Sequence, residues 1–512
     1  MTHLAVPITS DSVDKSLKSI TQAVDSGADL VELRLDYVQG LIVRQVPTLV
    51  EAVKSLGKIA LVTCRPVWEG GRYQGSEASR LSVLQSADKA GADYIDIEWQ
   101  AIVKDEAAFG PFKDSCSARV IVSNHDFEGC PADLLQRVDA IKAMEPDVVK
   151  IAYTPRTSTE SFYALDLLWD GVLAMAMGEK GLITRLLASK LNALLMFASL
   201  TQETGSAPGQ VGVEQVKQMY RWDQLDAETR LFAVIGSPVA HSMSPAIFNA
   251  GFSECDINGL YLPLLIDPDY DAFADFFDNL CERPWLGAQG FSVTIPHKEN
   301  AVRYLSEHNG KIEPLAEKIG AVNTLVVGDD GQLSGYNTDY LGAMNPIRLT
   351  LDKNNINIAN LPVAVIGAGG VARAIVAGLC DSGCRVTIYN RTVDKSQRLA
   401  EEFDCEAGML SEIRGGQCPP YRLLINCTSL GMHPNVGDSP LPSGCLSPET
   451  MVFDTVYNPV ETRLLREARA AGSPVIDGVQ MFVGQAAVQF NLFVSKDAPI
   501  ELMRRVVESK LS

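Results

Sequence analysis

Val363-Ala-Val-Ile-Gly-Ala-Gly-Gly-Val-Ala-Arg-Ala374 decides the fold of half of this chain. An apolar run ends in glycines spaced G-x-G-x-x-A, at Gly367, Gly369 and Ala372, and an apolar stretch continues beyond. The spacing predicts a strand, a tight turn and a helix, with the turn opening the helix amino terminus to a pyrophosphate. An ordinary structural turn can show the same glycines. The context separates the two readings, because a second apolar run, Arg385-Val-Thr-Ile-Tyr389, completes a βαβ unit. Dinucleotide binding is therefore expected, with Gly367, Ala368, Gly369, Gly370, Val371 and Ala372 at the phosphates. Asn390, Arg391 and Thr392 stand where the second strand ends. An acid at that place would hold ribose hydroxyls, whereas a guanidinium beside a hydroxyl suits a 2′-phosphate, so NADP is predicted.

Outward from this unit the β/α alternation runs in both directions. Three domains are expected in 512 residues. They are a first domain over 1–220, a substrate domain over 229–350 joined by 480–512, and the dinucleotide domain over 351–479. Residues 215–229 read as a helical linker. Lys+Arg 44 against Asp+Glu 63 gives a net charge of −19, which disfavours both sequence-independent nucleic-acid binding and anionic membranes. Eleven cysteines form no C-x-x-C, so a secreted disulfide framework and structural zinc are both disfavoured and no metal is predicted. No signal peptide or bilayer-spanning run is read at the amino terminus or elsewhere. An intracellular soluble protein is expected, cytoplasmic, or plastid where a transit peptide has been removed. Small molecules are the expected partners, with no nucleic acid, membrane or protein partner indicated.

The first domain contains eight short apolar runs, Leu4–Ile8, Leu30–Leu35, Ile59–Cys64, Tyr94–Glu98, Val120–Ser123, Val148–Ala152, Val172–Met177 and Leu194–Leu200. Several are apolar on both faces, as buried parallel strands are. Alternation with helical segments predicts a (β/α)8 TIM barrel, whose chemistry sits at the carboxyl ends of the strands. Reactive residues do fall there. Glu32 and Arg34 close the second run, Arg65 and Glu69 follow the third, and His125 follows the fifth. Lys150 lies in the sixth, Arg185 just past the seventh, and Ser206 and Gln210 past the eighth. A lone strand-end lysine usually snorkels to solvent. Three arginines at the same mouth favour instead a neutral, nucleophilic amine suited to a Schiff base on a ketone. His125 is then the general acid/base, Glu69 its support, and the arginines imply a substrate carboxylate.

These motifs, Glu32-Leu-Arg, Thr63-Cys-Arg65, Glu69-Gly-Gly, Ser-Asn-His125-Asp, Val-Lys150-Ile-Ala, Met-Gly-x-x-Gly-x-x-Thr-Arg185 and Ser206-Ala-Pro-Gly-Gln210, resemble those of type I 3-dehydroquinate dehydratase. The resemblance implies syn dehydration of 3-dehydroquinate to 3-dehydroshikimate through Lys150. It implies that Arg185, Ser206 and Gln210 hold the substrate. Thr184 stands where the family more often has Ser.

In the second half, Thr294-Ile-Pro-His-Lys298, Ala-Val-Asn323-Thr and Asn337-Thr-Asp339 place polar groups at strand-to-helix turns. Each alone suits turn chemistry; together they suit a polyhydroxylated ligand, with Lys298 and Asp339 as a proton-passing pair. With His-Ser242-Met-Ser244-Pro, Asn426-Cys-Thr428-Ser-Leu-Gly-Met, Asp454-Thr-Val-Tyr457 and Gly478-Val-Gln-Met-Phe-Val-Gly-Gln485, this series resembles shikimate dehydrogenase. That resemblance implies Lys298 and Asp339 as the catalytic pair. It implies substrate contacts from Ser242, Ser244, Thr294, Asn323, Tyr457 and Gln485, and cofactor contacts from Thr428 and Gly478. The chain departs from the family at Phe248, where His is frequent, and at Cys427. Two motif series in pathway order resemble the bifunctional dehydroquinate dehydratase–shikimate dehydrogenases. The alternatives are a dehydrogenase half that acts on quinate and a non-catalytic metabolite sensor with the same folds.

Overall fold

The computed structural model describes residues 2–201, 205–414 and 420–511, and only the backbone of Arg414 and Ser443. Its first eight strands are β1 (His3–Ile8), β2 (Leu30–Arg34), β3 (Ile59–Thr63), β4 (Tyr94–Glu98), β5 (Arg119–Asp126), β6 (Val148–Tyr153), β7 (Leu173–Ala176) and β8 (Leu195–Phe197). They form one sheet in the order β7-β6-β5-β4-β3-β2-β1-β8, a nearly closed barrel whose ladders are parallel. Each of the apolar runs falls on one of these strands. The filling comes from all of them, with Ala5, Leu30, Leu61, Tyr94, Ile121, Ala152, Leu173 and Leu195 in one buried cluster.

Next come β9 (Arg230–Gly236), β10 (Gly259–Leu265), β11 (Ala288–Val293), β12 (Lys311–Ile312), β13 (Thr324–Val327) and β14 (Leu333–Tyr336), a sheet ordered β10-β9-β11-β13-β14-β12. In it β13 runs antiparallel to β11 and β14. The last sheet is β15 (Pro362–Ile366), β16 (Arg385–Asn390), β17 (Glu406–Met409), β18 (Leu423–Asn426), β19 (Met451–Asp454) and β20 (Val475–Ile476). Its order β17-β16-β15-β18-β19-β20 and its parallel ladders make a doubly wound fold, with the switch in winding between β15 and β18.

By contacts the chain divides into two compact units. The first is Met1–Leu231 with Ile235–Ala240 and Asn258–Gly287; the second is Phe232–Val234 with His241–Ile257 and Ala288–Ser512. The expected helical linker is helical only over Val213–Gln218, followed by a 3-10 turn at Trp222–Gln224. It is packed down, with Val216, Tyr220 and Trp222 buried. Lys190 closes it by donating to Ala227 O and Thr229 O at 2.8 and 2.9 Å. Nine described cysteines are free thiols, while Cys445 is disulfide-bonded.

Candidate active sites

Strand alternation aims one side chain in two at the barrel axis. Glu32 and Arg34 on β2, Asp96 and Glu98 on β4, Ser123 and His125 on β5, and Lys150 on β6 share that parity. One pocket at the carboxyl ends of the strands is lined by Glu32, Arg34, Arg65, Glu69, His125, Lys150, Arg185, Ser206 and Gln210, the barrel residues expected from the sequence. Lys150 is 3% exposed, and its ammonium donates to Asp96 Oδ2 at 2.8 Å. Asp96 also accepts from Arg65 at 3.0 Å and from Ser123 Oγ at 2.5 Å. Arg65 donates further to Glu98 Oε1 at 3.0 Å and Ser123 Oγ at 2.8 Å, and Arg80 donates to Glu98 Oε2. Arg34 is engaged bidentately by Asp36 at 2.9 and 2.8 Å, and Thr63 Oγ1 donates to Glu32 at 2.8 Å.

These contacts correct one step of the sequence argument. The arginines do not face Lys150 as an uncompensated positive field, because Asp96 and Glu98 sit among them. Burial alone would raise the Asp96 carboxyl, but Arg65 and Lys150 hold it well below the usual carboxylate range. Lys150 therefore rests in an ion pair. Arg65 and Arg34 spend their guanidinium groups on protein carboxylates. Arg185 differs. It is 2% exposed, donates to Pro208 O at 3.3 Å, and its Nε has no protein partner among the described residues. Burial brings it down to about 10, with no carboxylate opposing. It is a buried cation with no carboxylate of the described residues beside it.

His125 and Glu69 form a dyad. The ring Nδ1 and the backbone N–H of His125 lie 2.9 and 3.0 Å from Glu69 Oε1. Donation from Nδ1–H leaves Nε2 as the free base. Burial, then the cations Arg65 and Lys150, push the imidazole well below its ordinary value, so it is neutral. Burial pushes Glu69 up to about 8 against the pull of Arg65. Phe127 stacks on His125 with centroids 6.4 Å apart. Ser206 and Gln210 clasp each other, Gln210 Oε1 accepting from Ser206 N at 2.7 Å.

In the second unit Lys298 opens helix Lys298–Glu307, and Asp339 lies in the first turn of helix Thr338–Lys353. Their side chains meet at 2.5 Å, partly exposed. Asn337 caps the second helix by accepting from Tyr340 N. Asn323 is 2% exposed and spends its amide locally, accepting from Thr338 N at 2.7 Å and donating to Thr338 Oγ1 at 3.1 Å. Thr338 Oγ1 in turn donates to Gln485 Oε1 at 3.5 Å, which ties Asn323 and Gln485 to the residue beside Asp339. Tyr457 stacks on Phe482 at 4.9 Å. Ser242 accepts from Ser244 N at 3.3 Å, and Thr294 O from His297 N at 2.9 Å, so these contacts are local. His297 is fully buried with Nδ1 3.0 Å from Asn300. Phe248 has a packing reason: it lies within 5.8 to 6.3 Å of Phe493, Phe252 and Phe490 in a buried aromatic cluster.

The glycine turn fits a dinucleotide on structural grounds. Gly367 has φ +113, and a Cβ there would meet Cys427 O at 3.0 Å. A Cβ on Gly369 or Gly370 would meet nothing within 4 Å, which leaves open space at the start of helix Gly370–Asp381. Ala368, Val371 and Ala372 complete the turn. Thr428 follows β18 across the switch point, its N–H and Oγ1 bound to Asn426 Oδ1 at 3.0 and 2.7 Å. Asn390 ends β16 and donates to Thr392 O at 2.9 Å; Arg391 and Thr392 are exposed. Gly478 opens helix Gly478–Val494, and a Cβ on it would strike Val456 O at 2.3 Å.

Asp96, Glu98, Arg80 and Phe127 escaped the sequence reading. The two acids had a signal, since Tyr94-Ile-Asp-Ile-Glu98 alternates acids with isoleucines, which puts both on one face. Arg80 had none, for it reaches Glu98 from a helix. Gln489 was missed too: it donates to Thr324 Oγ1 at 2.9 Å and accepts from Ser292 at 2.7 Å behind Asn323.

Comparison with known proteins finds relatives for both halves of the chain. The profile of type I 3-dehydroquinase matches residues 4–227. That of the shikimate dehydrogenase substrate binding domain matches 234–325, that of shikimate / quinate 5-dehydrogenase 350–418, and the shikimate 5′-dehydrogenase C-terminal domain 478–508. A shikimate dehydrogenase (NADP+) from Methanosarcina barkeri is 39% identical over 54% of this chain and 97% of its own. A crystal structure of shikimate dehydrogenase in complex with NADP+ is 32% identical, covers 56% of this chain and 98% of that one, and gives a TM-score of 0.50. The bifunctional 3-dehydroquinate dehydratase/shikimate dehydrogenase, chloroplastic, of Arabidopsis thaliana is 36% identical over 98% of this chain and 84% of its own length. With a likeness that spans both units, this chain belongs to the family of bifunctional 3-dehydroquinate dehydratase/shikimate dehydrogenases.

Proposed function

We propose that the first unit dehydrates 3-dehydroquinate to 3-dehydroshikimate and that the second reduces this product to shikimate with NADPH. The observation that carries the reading is that one chain holds two intact constellations, Lys150 beside the His125–Glu69 dyad and Lys298 paired with Asp339. In the barrel, Arg185 takes the substrate carboxylate. Lys150 passes a proton to His125, and its nitrogen attacks the ketone carbon; His125 returns the proton to the carbinolamine oxygen, which leaves as water while an iminium forms. Neutral His125 removes the proton alpha to the iminium carbon, and the hydroxyl beta to it departs with a proton returned by His125. Water then hydrolyses the conjugated iminium and frees Lys150. Asp96 keeps a negative charge beside this nitrogen as ammonium and as iminium. Glu69 orients the imidazole, and Ser206 and Gln210 close over the substrate.

In the second unit, Gly367–Ala372, Asn390, Arg391, Thr392, Thr428 and Gly478 would hold NADPH, with Arg391 on the 2′-phosphate. Held there, the cofactor would supply a hydride to the ketone carbon. Lys298, paired with Asp339, donates the proton that the ketone oxygen needs. Ser242 and Ser244 address the carboxylate, and Thr294, Asn323, Tyr457 and Gln485 the ring hydroxyls. The test is purified full-length chain given 3-dehydroquinate and NADPH. NADPH oxidation is expected. Lys150→Ala should abolish it until 3-dehydroshikimate is added, and Lys298→Ala should abolish it with either substrate. NADPH oxidation by Lys150→Ala from 3-dehydroquinate would overturn the reading.

A further inference from the structure

The segment that carries Arg185 is tied to the first unit at two places. Inside the barrel, Thr184 Oγ1 donates to Gly181 O at 2.8 Å and accepts from Ala176 N at 3.1 Å. The second tie comes from beyond the barrel. Lys180, between β7 and helix Leu182–Leu186, donates to Arg156 O at 2.6 Å and to Asp267 Oδ2 at 2.7 Å. The carbonyl of Lys180 accepts from Ser161 Oγ at 2.9 Å. Asp267 stands just after β10. Helix Leu182–Leu186 packs on β10, and Ser158 Oγ donates to Leu265 O at the end of that strand. All these residues lie in the first compact unit, yet the type I dehydroquinase profile ends at residue 227. The barrel's own family therefore does not account for this tie.

The geometry points to Asp267 as a positioning residue of the dehydratase reaction: through Lys180 it fixes residues 177–185, so that Arg185 meets the substrate carboxylate. The inference rests on the assignment of Arg185 proposed above. Lys180 and Asp267 are 21% and 36% exposed. Such pairs are individually weak, so the effect belongs on substrate affinity and not on survival of the fold. Arg185 is sensitive to placement because its guanidinium Nε has no protein partner to hold it once its segment shifts.

The test uses the full chain with Asp267→Lys, which sets two ammonium groups against each other, and with the swapped pair Lys180→Asp/Asp267→Lys. Asp267→Lys should raise KM for 3-dehydroquinate about fivefold while kcat stays within about twofold, as expected for loss of one weak ion pair that acts on binding. The swap should recover most of the loss, and reduction of 3-dehydroshikimate by the same preparations should not change. If Asp267→Lys fails to fold, the isosteric Asp267→Asn gives the same readout with a smaller rise. An unchanged KM, a KM that the swap does not recover, or parallel losses in both reactions overturns the inference. Wild-type chain that cannot dehydrate 3-dehydroquinate overturns the functional reading itself, whereas active wild type with a silent Asp267→Lys overturns only the role of Asp267.

Discussion

Asp96 has three donors on two oxygens and almost no solvent. Replacing it with Asn keeps the volume and removes the charge. Arg65 and Lys150 then face each other with one anion fewer, and removal of one member of a buried ion network costs about 3–5 kcal/mol. If about 3 kcal/mol of this appears in the reaction, Asp96→Asn should lower dehydratase kcat/KM about a hundredfold. Borohydride with 3-dehydroquinate should trap an adduct on Lys150 of the wild type and much less on the variant, read by peptide mass. Equal trapping and equal kcat would remove Asp96 from the mechanism. Arg391 offers a parallel case at the other site. A charge-assisted contact is worth about 1.5–3 kcal/mol, so Arg391→Ala should cost NADP one to two decades of affinity and leave NAD nearly unchanged. Equal losses would give Arg391 another task.

Strands and their turns were legible because burial writes itself into composition. A parallel strand covered on both faces reads as a largely apolar run, and several of the barrel strands did. The same pattern hid chemistry: Tyr94-Ile-Asp-Ile-Glu98 read as a strand, and its inward acids passed unnoticed. Pairings such as Asp96 with Lys150 or Arg80 with Glu98 depend on which strands and helices lie side by side, which no local window contains. Glycines show a similar division. Gly369 and Gly478 look alike in sequence but have different surroundings. A Cβ on Gly369 meets open space, and one on Gly478 meets Val456 O at 2.3 Å. Gly369→Ala should leave the melting temperature unchanged and weaken NADP binding. Gly478→Ala should destabilise the chain by about 1–3 kcal/mol, as overpacking does, and displace the helix that carries Gln485. Thermal melts with and without NADP separate the two cases; equal melting losses in both variants would make Gly369 a packing residue.

Across the whole chain, the buried carboxyls set how stability follows pH. Glu69 in the first unit is pushed from 4.5 up to about 8, and Asp454 in the second from 3.8 up to about 6, each by burial before any other cause. Asp454 is held by Thr462 Oγ1 at 2.6 Å, Asn426 Nδ2 at 2.9 Å and Val456 N at 3.1 Å, and these donors restrain its rise. Glu69 has the opposition of Arg65, but its Oε2 lacks a hydrogen-bond partner, and its rise is larger. The sign follows from proton counts. Above the unfolded pKa the folded state keeps a proton that the unfolded chain has lost, so stability falls as pH rises until the folded group also ionises. For Asp454 the decline runs from about 4 to 6, and for Glu69 it runs on to about 8. Glu69→Gln cannot ionise and removes the second decline. Its melting temperature minus that of the wild type should therefore grow steadily between pH 6 and 8. The same difference for Asp454→Asn should grow between pH 4 and 6 and then level off. Melting curves of the three proteins at fixed ionic strength decide it, since the general repulsion from a net charge of −19 is nearly common to all and cancels in the differences. A Glu69→Gln difference that is flat from pH 6 to 8 would mean that Glu69 is already ionised in the folded protein. The dyad would then rest as a carboxylate beside His125, and the proton shuttle would start from the opposite charge state.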